Sequence, residues 1–503
     1  RYCKGDFMYI ADIAAEIAPI AKVGGLGDVI LGLSREQKNL GHQVAIILPK
    51  YDGIDTDNIK DFTVFKNNIL IDYQGQSHTL TIWKGLVEGV TVYFIDSNDS
   101  RQFFHRGCFY GCEDDNERFL YFSKASLEFI SQANLPTDII HIHDWQTAAI
   151  SFLLPALFKS LDIKTVFTIH NMEYQGNCGT WNLDALGLDG NYYLDKERLQ
   201  DHTYSDSINL LKGAIIYANT ITTVSPTYAK EVLTPYGGKG LDTTLKKYAF
   251  KFFGILNGID TVYWNPETDP YLPTKFSSRE IPLHTNDKII FDNKGYIKRF
   301  LRKKSSLEEI HAPIVGCVTR LVPQKGIELI KQAIVRTLEK KGQFVLLGSS
   351  PIISIQEEFQ QLKDYYRNNP NVCFFLSHNE PLAHLIYAGS DMFVIPSIFE
   401  PCGLTQMIAL RYGSIPIVRN TGGLSDTIFD FDYSGLPLEQ TNGFSFDYPD
   451  ETGLNSALDR ALDYWFKEPK TWRKLALQGM HCDFSWKCSA KKYIELYQKM
   501  NST

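Results

Sequence analysis

Apolar residues in this chain come in short, nearly unbroken runs separated by longer amphipathic stretches. In the first half FMYIADIAAE (7–16), HQVAIILP (42–49), TVYFID (91–96), DIIHIHD (138–144), KTVFTIH (164–170) and TITTVSP (220–226) read as strands. The second half restarts with PIVGCVTRL (313–321), then QFVLLGSS (343–350), VCFFLS (372–377), MFVIPS (392–397) and IPIVRN (415–420). Stretches such as Asp28 to Leu40 and Ile327 to Lys340 carry helical spacing between them. Strands covered by helices on both faces need continuous apolar character rather than alternation, so the pattern predicts parallel sheets built from strand–helix–strand units. The expectation is an α/β chain of two doubly wound, Rossmann-like domains.

Residues 266–312 change character. NPETDPYLPTK (265–275) is turn-rich, and KGYIKRFLRKKSSLEEI (294–310) is basic and helix-like without a strong apolar stripe. This segment reads as the crossover, which gives domains at 1–275 and 276–480. A terminal amphipathic helix over 481–503 is expected to return to the first domain.

Composition narrows the function. With 44% hydrophobic and 22% charged residues the chain is not disordered, and no apolar run reaches membrane-span length. A net charge of −7 argues against a general nucleic-acid binder. The nine cysteines (3, 108, 112, 178, 317, 373, 402, 482 and 488) form no Cys-x-x-Cys pair, so neither a zinc ribbon nor a thioredoxin motif is expected. Free thiols in a reducing compartment are the expectation, although CFYGC (108–112) could cross-link. The start, RYCKGDFMYIADI, has no initiator Met and shows no signal or transit segment, which predicts a processed piece of a longer product.

Three stretches could carry chemistry. AKVGGLGD sets Lys22 beside Gly24 and Gly25, with Asp28 following; it is neither a dinucleotide fingerprint nor a P-loop, but a lysine beside glycine amides suits a phosphate. NTGGLSD (420–426) echoes it, which suggests two similar domains. TRLVPQKG puts Arg320 and Lys325 just beyond a strand, where ligands bind in open parallel sheets. In PSIFEPCGLTQMIALRYG, Glu400 lies in a loop before a helix and can accept hydrogen bonds from sugar hydroxyls, while Gly403, Leu404 and Thr405 open that helix. HIHD (141–144) is half a metal site at most, and DFD (430–432) imitates a metal-binding Asp-x-Asp in a polar loop; no metal is assigned to either.

KVGGLGD, HDWQTA, TIHN, LNGID, TRLVPQKG, EPCGLTQ and TGGLSD occur in this order, and together they resemble the bacterial glycogen synthase and plant starch synthase family. IAKVGG, HDWQTAA, RLVPQKG, LLGSSP and RYGSIPIVR are most similar to soluble starch synthases of class III/IV. The resemblance implies the GT-B fold, two Rossmann-like domains facing a cleft. It also implies an ADP-glucose donor, a linear α-glucan acceptor, retaining transfer and no cofactor.

Carried over by motif, the catalytic set is Lys22, His170, Arg320, Lys325 and Glu400. The donor set is Gly24, Gly25, Asp28, Asp144, Asn257, Cys402, Gly403, Leu404 and Thr405. Tyr110, Trp145, Gln146 and Tyr174 are expected on the acceptor side, where sugar rings stack on aromatics. The His170 backbone carbonyl is the candidate for stabilising positive charge at the anomeric carbon.

Two positions depart from the family: Gln146 stands where many bacterial relatives have histidine, and His378 where relatives often have tyrosine. No carboxylate pair of the glycosidase kind stands out, so the expected mechanism is electrostatic, with cations holding the departing diphosphate. The rivals are a catalytically weak glucan-binding or initiation scaffold and a UDP-glucose-using two-domain transferase. Ile408 replaces the second glutamate that the latter usually carries. The resemblance places the protein in the plastid stroma of a plant-type cell or in bacterial cytoplasm, without nucleic-acid or membrane partners.

Overall fold

The computed structural model describes residues 7–98, 100–277 and 288–501. Cys3, in the N-terminal stretch RYCKGD, lies outside them. The chain divides into two compact units, Arg1–Gly258 with Ser485–Thr503, and Ile259–Phe484.

In the first unit the strands are β1 (Tyr9–Ile13), β2 (Gln43–Pro49), β3 (Lys60–Tyr73), β4 (Gln76–Val87), β5 (Val90–Ser97), β6 (Ile139–His143), β7 (Lys164–Ile169), β8 (Asn177–Cys178), β9 (Ile208–Asn209), β10 (Thr220–Thr223) and β11 (Phe252–Gly254). Nine make one sheet in the order β11-β10-β7-β6-β1-β2-β5-β4-β3; β8 and β9 pair separately. All six apolar runs expected as strands lie in the large sheet, and the pairings from β11 through to β5 are parallel. The sequence reading missed the short strands β8, β9 and β11 and, beyond β5, the antiparallel meander of β3 and β4. Its two-residue loops, Gln74-Gly75 and Glu88-Gly89, have positive φ at both positions, the geometry of tight hairpins usually signalled by Asn-Gly. Shifts of register between Lys60 and Ile69 blur the alternation that would have betrayed β3.

The second unit is a six-stranded parallel sheet of β12 (Ile314–Val318), β13 (Gln343–Leu347), β14 (Val372–Phe375), β15 (Met392–Ile395), β16 (Ile415–Arg419) and β17 (Phe444–Phe446), ordered β14-β13-β12-β15-β16-β17. The expected domain boundary at 275/276 falls inside this unit. Residues 259–277 are fastened there: buried Asp269 receives His384 Nδ1 at 2.7 Å and the Tyr412 hydroxyl at 2.6 Å, and Trp264 stacks on the His384 ring. The basic segment becomes the helix Lys288–Ser305, and it does have a stripe, Ile290, Ile297 and Leu301, all buried. Lys294 disguises that stripe: it is buried in the same row and donates to the carbonyls of Ala388 and Tyr412.

The helix Gly25–Asn39 lays Val29 and Leu33 into a core shared with the helix Trp486–Asn501. A Cβ at Gly32 would collide with the Trp486 indole, so the close approach of the two helices requires glycine there. Gly32→Val should therefore destabilise the protein by about 1–3 kcal/mol through overpacking, read as a lower urea midpoint with unchanged slope.

Candidate active site

In both units most of the residues singled out from sequence sit just beyond the carboxyl ends of strands, in loops or in the first turns of the helices that follow, the ligand-binding edge of an open parallel sheet. In the first unit the loop after β1 carries Glu16, which sequence reasoning passed over because it closes an apolar run. Glu16 is 3% exposed, and Oε2 accepts the N–H groups of Val23 and Gly24, each at 2.8 Å. Oε1 accepts the Tyr110 hydroxyl at 2.6 Å. The Gly24 amide, expected to face an anion, is thus bonded to a carboxylate. Gly25 begins the helix, and Lys22 Nζ meets Asp28 Oδ2 at 3.0 Å on its first turn.

The loops after β6 and β7 meet through Asp144, whose Oδ1 accepts the His170 N–H at 2.7 Å. The Asn171 N–H, in the peptide that carries the His170 carbonyl, points at the same oxygen at 3.4 Å. Asp144 has a left-handed backbone, φ 56°, and burial pushes its carboxyl up to about 7. Behind it runs a chain of buried groups. His170 Nε2 lies 3.1 Å from His143 Nδ1, and Asp12 Oδ1 lies 3.7 Å from His143 Nε2 and 3.3 Å from His141 Nδ1. The Tyr497 hydroxyl reaches His141 Nδ1 at 2.8 Å. Burial, and then the neighbouring His141, push His143 down to about 4; burial likewise holds His170 well below the usual imidazole range. Burial alone would raise Asp12, but the close imidazoles of His141 and His143 bring it below the usual carboxylate range.

Asp12, His141 and His143 are close enough to ligate one ion. His141 nevertheless directs Nε2 at Thr168 Oγ1, 2.6 Å away, and Nδ1 at Tyr497 and Asp12, leaving no nitrogen for a metal.

Asn257, after β11, is buried, and its Oδ1 has no hydrogen-bond partner among the described residues. Trp145 and Tyr174 line one polar cavity of about 500 Å³ together with Tyr204, His202 and Asp201. Trp145 is braced edge-on by Phe119, whereas Tyr174 is largely exposed. Neither Gln146 nor Tyr110 lines that cavity.

In the second unit Lys325 and Glu400 come together from the loops after β12 and β15. Lys325 Nζ contacts Glu400 Oε2 at 2.6 Å, and Ser397 Oγ donates to the same oxygen at 2.8 Å. With Gly403, Leu404 and Thr405 they line a small pocket. Gly326, at φ 74°, brings the Lys325 turn against the Pro396 carbonyl, where a Cβ would not fit. Cys402 is buried and its carbonyl accepts Gln406 Nε2 at 3.0 Å. Arg320 is exposed in the loop after β12, without an ion pair among the described residues.

The Gly-Gly echo does not mark equivalent places. The first copy follows β1, central in its sheet, whereas the second follows β16, next to the edge. Gly422 and Gly423 pack on the backbone of 400–402, where added Cβ atoms would collide with the carbonyls of Glu400 and Cys402. The Asp-x-Asp at 430–432 is a clamp for Arg460, which pairs with Asp430 at 2.9 Å and Asp432 at 2.8 Å.

A family model described as the starch synthase catalytic domain matches residues 9–247, and one for group 1 glycosyl transferases matches 298–499. A glycogen synthase from Protochlamydia amoebophila is 55% identical, covering 98% of this chain and 100% of that protein. This chain belongs to the glycogen and starch synthase family. A probable starch synthase 4 from Arabidopsis thaliana is 49% identical over 98% of this chain and 47% of its own length. The catalytic domain of starch synthase IV from Arabidopsis thaliana, solved with ADP and acarbose, superposes with a TM-score of 0.93 at 49% identity, covering 99% of this chain and 100% of that one. A sucrose-phosphate synthase from Thermosynechococcus elongatus shares the fold, with a TM-score of 0.60 at 18% identity over 98% of this chain and 99% of that one. Family membership makes this protein a glucosyltransferase. Among the described residues no helix is long and apolar enough to cross a membrane.

The buried groups set a pH signature. Asp144 ionises near 7 when folded and near 3.9 when unfolded, so across that interval the folded state holds the extra proton and stability falls as pH rises. His143 has the opposite sign: its folded value near 4 lies below about 6.5, so stability rises with pH between them. Asp144→Asn removes only the first contribution. Relative to wild type, the variant should gain stability steadily from about pH 4.5 to about pH 7, as read by urea midpoints.

Proposed function

We propose that this protein transfers glucose from ADP-glucose to the non-reducing end of a linear α-1,4-glucan, with retention of configuration. The observation that carries this reading is the Lys325–Glu400–Ser397 cluster at the ends of β12 and β15, with exposed Arg320 nearby in sequence. A cation held against a carboxylate at a strand edge offers one group for a diphosphate and one for sugar hydroxyls. The ADP and acarbose named with the Arabidopsis starch synthase IV structure support the same donor and acceptor here.

In this reading Arg320 and Lys325 hold the diphosphate, and Lys22, on the first unit, is the third cation assigned to it. Glu400 accepts from hydroxyls of the transferred glucose, beside Cys402, Gly403, Leu404 and Thr405. As the bond to ADP stretches, positive charge grows at the anomeric carbon. The His170 carbonyl, whose peptide Asp144 holds, is the group assigned to stabilise that charge. Stabilising the departing diphosphate lowers the barrier. The acceptor 4-hydroxyl attacks from the face that the diphosphate leaves, and a phosphate oxygen takes its proton, so configuration is retained. Trp145 and Tyr174 supply stacking surfaces for the glucan, and Tyr110 and Gln146 are assigned to the same acceptor side. The compartment is the plastid stroma in a plant-type cell and the cytoplasm in a bacterium, a reading supported by the chloroplastic and bacterial relatives.

Incubation with maltoheptaose and either ADP-glucose or UDP-glucose, followed by sizing of the products, tests the reading. Lengthening with ADP-glucose is expected; equal use of UDP-glucose overturns the donor, and no lengthening with either overturns the activity. Arg320→Ala isolates the cation. Its rate should fall ~10²–10³-fold, while its urea stability moves by less than about 0.5 kcal/mol because the side chain is exposed.

A further inference from the structure

The loop between β5 and the helix Asp115–Gln132 contains a feature that glucosyl transfer does not use. Cys108 and Cys112 place their Sγ atoms 3.2 Å apart; Cys108 is exposed and Cys112 partly so. Closing to a disulfide needs about 1 Å of travel, since the S–S bond is about 2.05 Å. The turn between them is already held in shape. Gly107 N–H donates to Asp52, Gly111 N–H donates to Asp115 Oδ2 at 2.6 Å, and both glycines are at positive φ. At its centre Tyr110 donates to Glu16, the carboxylate that also holds the Val23 and Gly24 amides.

We propose that Cys108 and Cys112 form a reversible dithiol–disulfide site whose oxidation locks the loop carrying Tyr110 onto Glu16. The oxidant is a small-molecule disulfide such as oxidised glutathione. The exposed Cys108 thiol loses its proton and attacks it, forming a mixed disulfide and releasing one glutathione. Cys112 then loses its proton and attacks the Cys108 sulfur, which forms the internal S–S bond and releases the second glutathione. Two thiols give up two electrons and two protons, and one oxidised glutathione becomes two reduced ones. Burial, and then its contact with Cys108, push the Cys112 thiol up to about 11, so Cys108 is the sulfur that reacts first.

The cross-link stands on the sulfur geometry alone; its effect on acceptor use rests on the assignment of Tyr110 to the acceptor side. The test equilibrates the full chain with mixtures of reduced and oxidised glutathione. Peptide mass mapping is then combined with hydrogen–deuterium exchange over 107–115, and the acceptor KM is measured for maltoheptaose. Expected are a peptide lighter by two hydrogens, slower exchange across the loop and an acceptor KM lowered about three-fold by preorganisation. Reductant should reverse all three, and Cys108→Ser or Cys112→Ser should abolish them. Two alkylatable thiols, or glutathione adducts without closure, overturn the site. A closed peptide with unchanged exchange overturns the lock. If no donor supports transfer, the activity reading fails, while mass and exchange still decide the cross-link.

Discussion

A buried carboxylate must find donors from the chain itself, and in each unit one such group holds the loops of the site together. Glu16 accepts two backbone amides and a tyrosine hydroxyl, so the glycine loop, the start of the first long helix and the Tyr110 turn are fixed by a single side chain. Glu400 takes an ammonium and a serine hydroxyl, tying the exits of β12 and β15. Each is largely removed from water, and losing any donor would leave charge uncompensated, which is more costly than a missing contact elsewhere. These loops are rigid for electrostatic reasons as much as for packing ones.

The parallel sheets were legible because their strands are buried on both faces, and burial on both faces writes itself as an apolar run. What stayed hidden has physical causes. The β3–β4 meander turns through Gln-Gly and Glu-Gly, which lack the usual hairpin signature, and its register shifts erase the period of two. The helix Lys288–Ser305 looked basic all round because buried Lys294 is solvated by carbonyls that no local pattern reveals. The site was half legible. Motifs named Lys325 and Glu400, but not that each would be the other's partner. Glu16 and Asp12, which act from behind, sit inside an apolar run and carry no motif of their own.

Similar words in a sequence need not mean similar work. The first Gly-Gly-Leu opens a fifteen-residue helix and sits against a carboxylate, whereas the second is a spacer that lets residues 400–402 pass close by. The motif records a need for small residues in both cases, and only the neighbours reveal whether backbone or ligand fills the space. The same holds for Asp430 and Asp432, whose spacing suits a cation and whose cation is the guanidinium of Arg460.

The helix Trp486–Asn501 supplies Trp486, Tyr493, Ile494 and Tyr497 to the core of the first unit. During synthesis on a ribosome, the earlier residues of that unit emerge long before this piece does, with the whole of the second unit translated in between. Until residues 486–501 leave the exit tunnel, the notch at Gly32 stands empty and His141 Nδ1 lacks the Tyr497 hydroxyl. The first unit therefore completes its core only after the second unit has been made, and a first unit lacking residues 486–501 would expose an open apolar seam to chaperones and proteases.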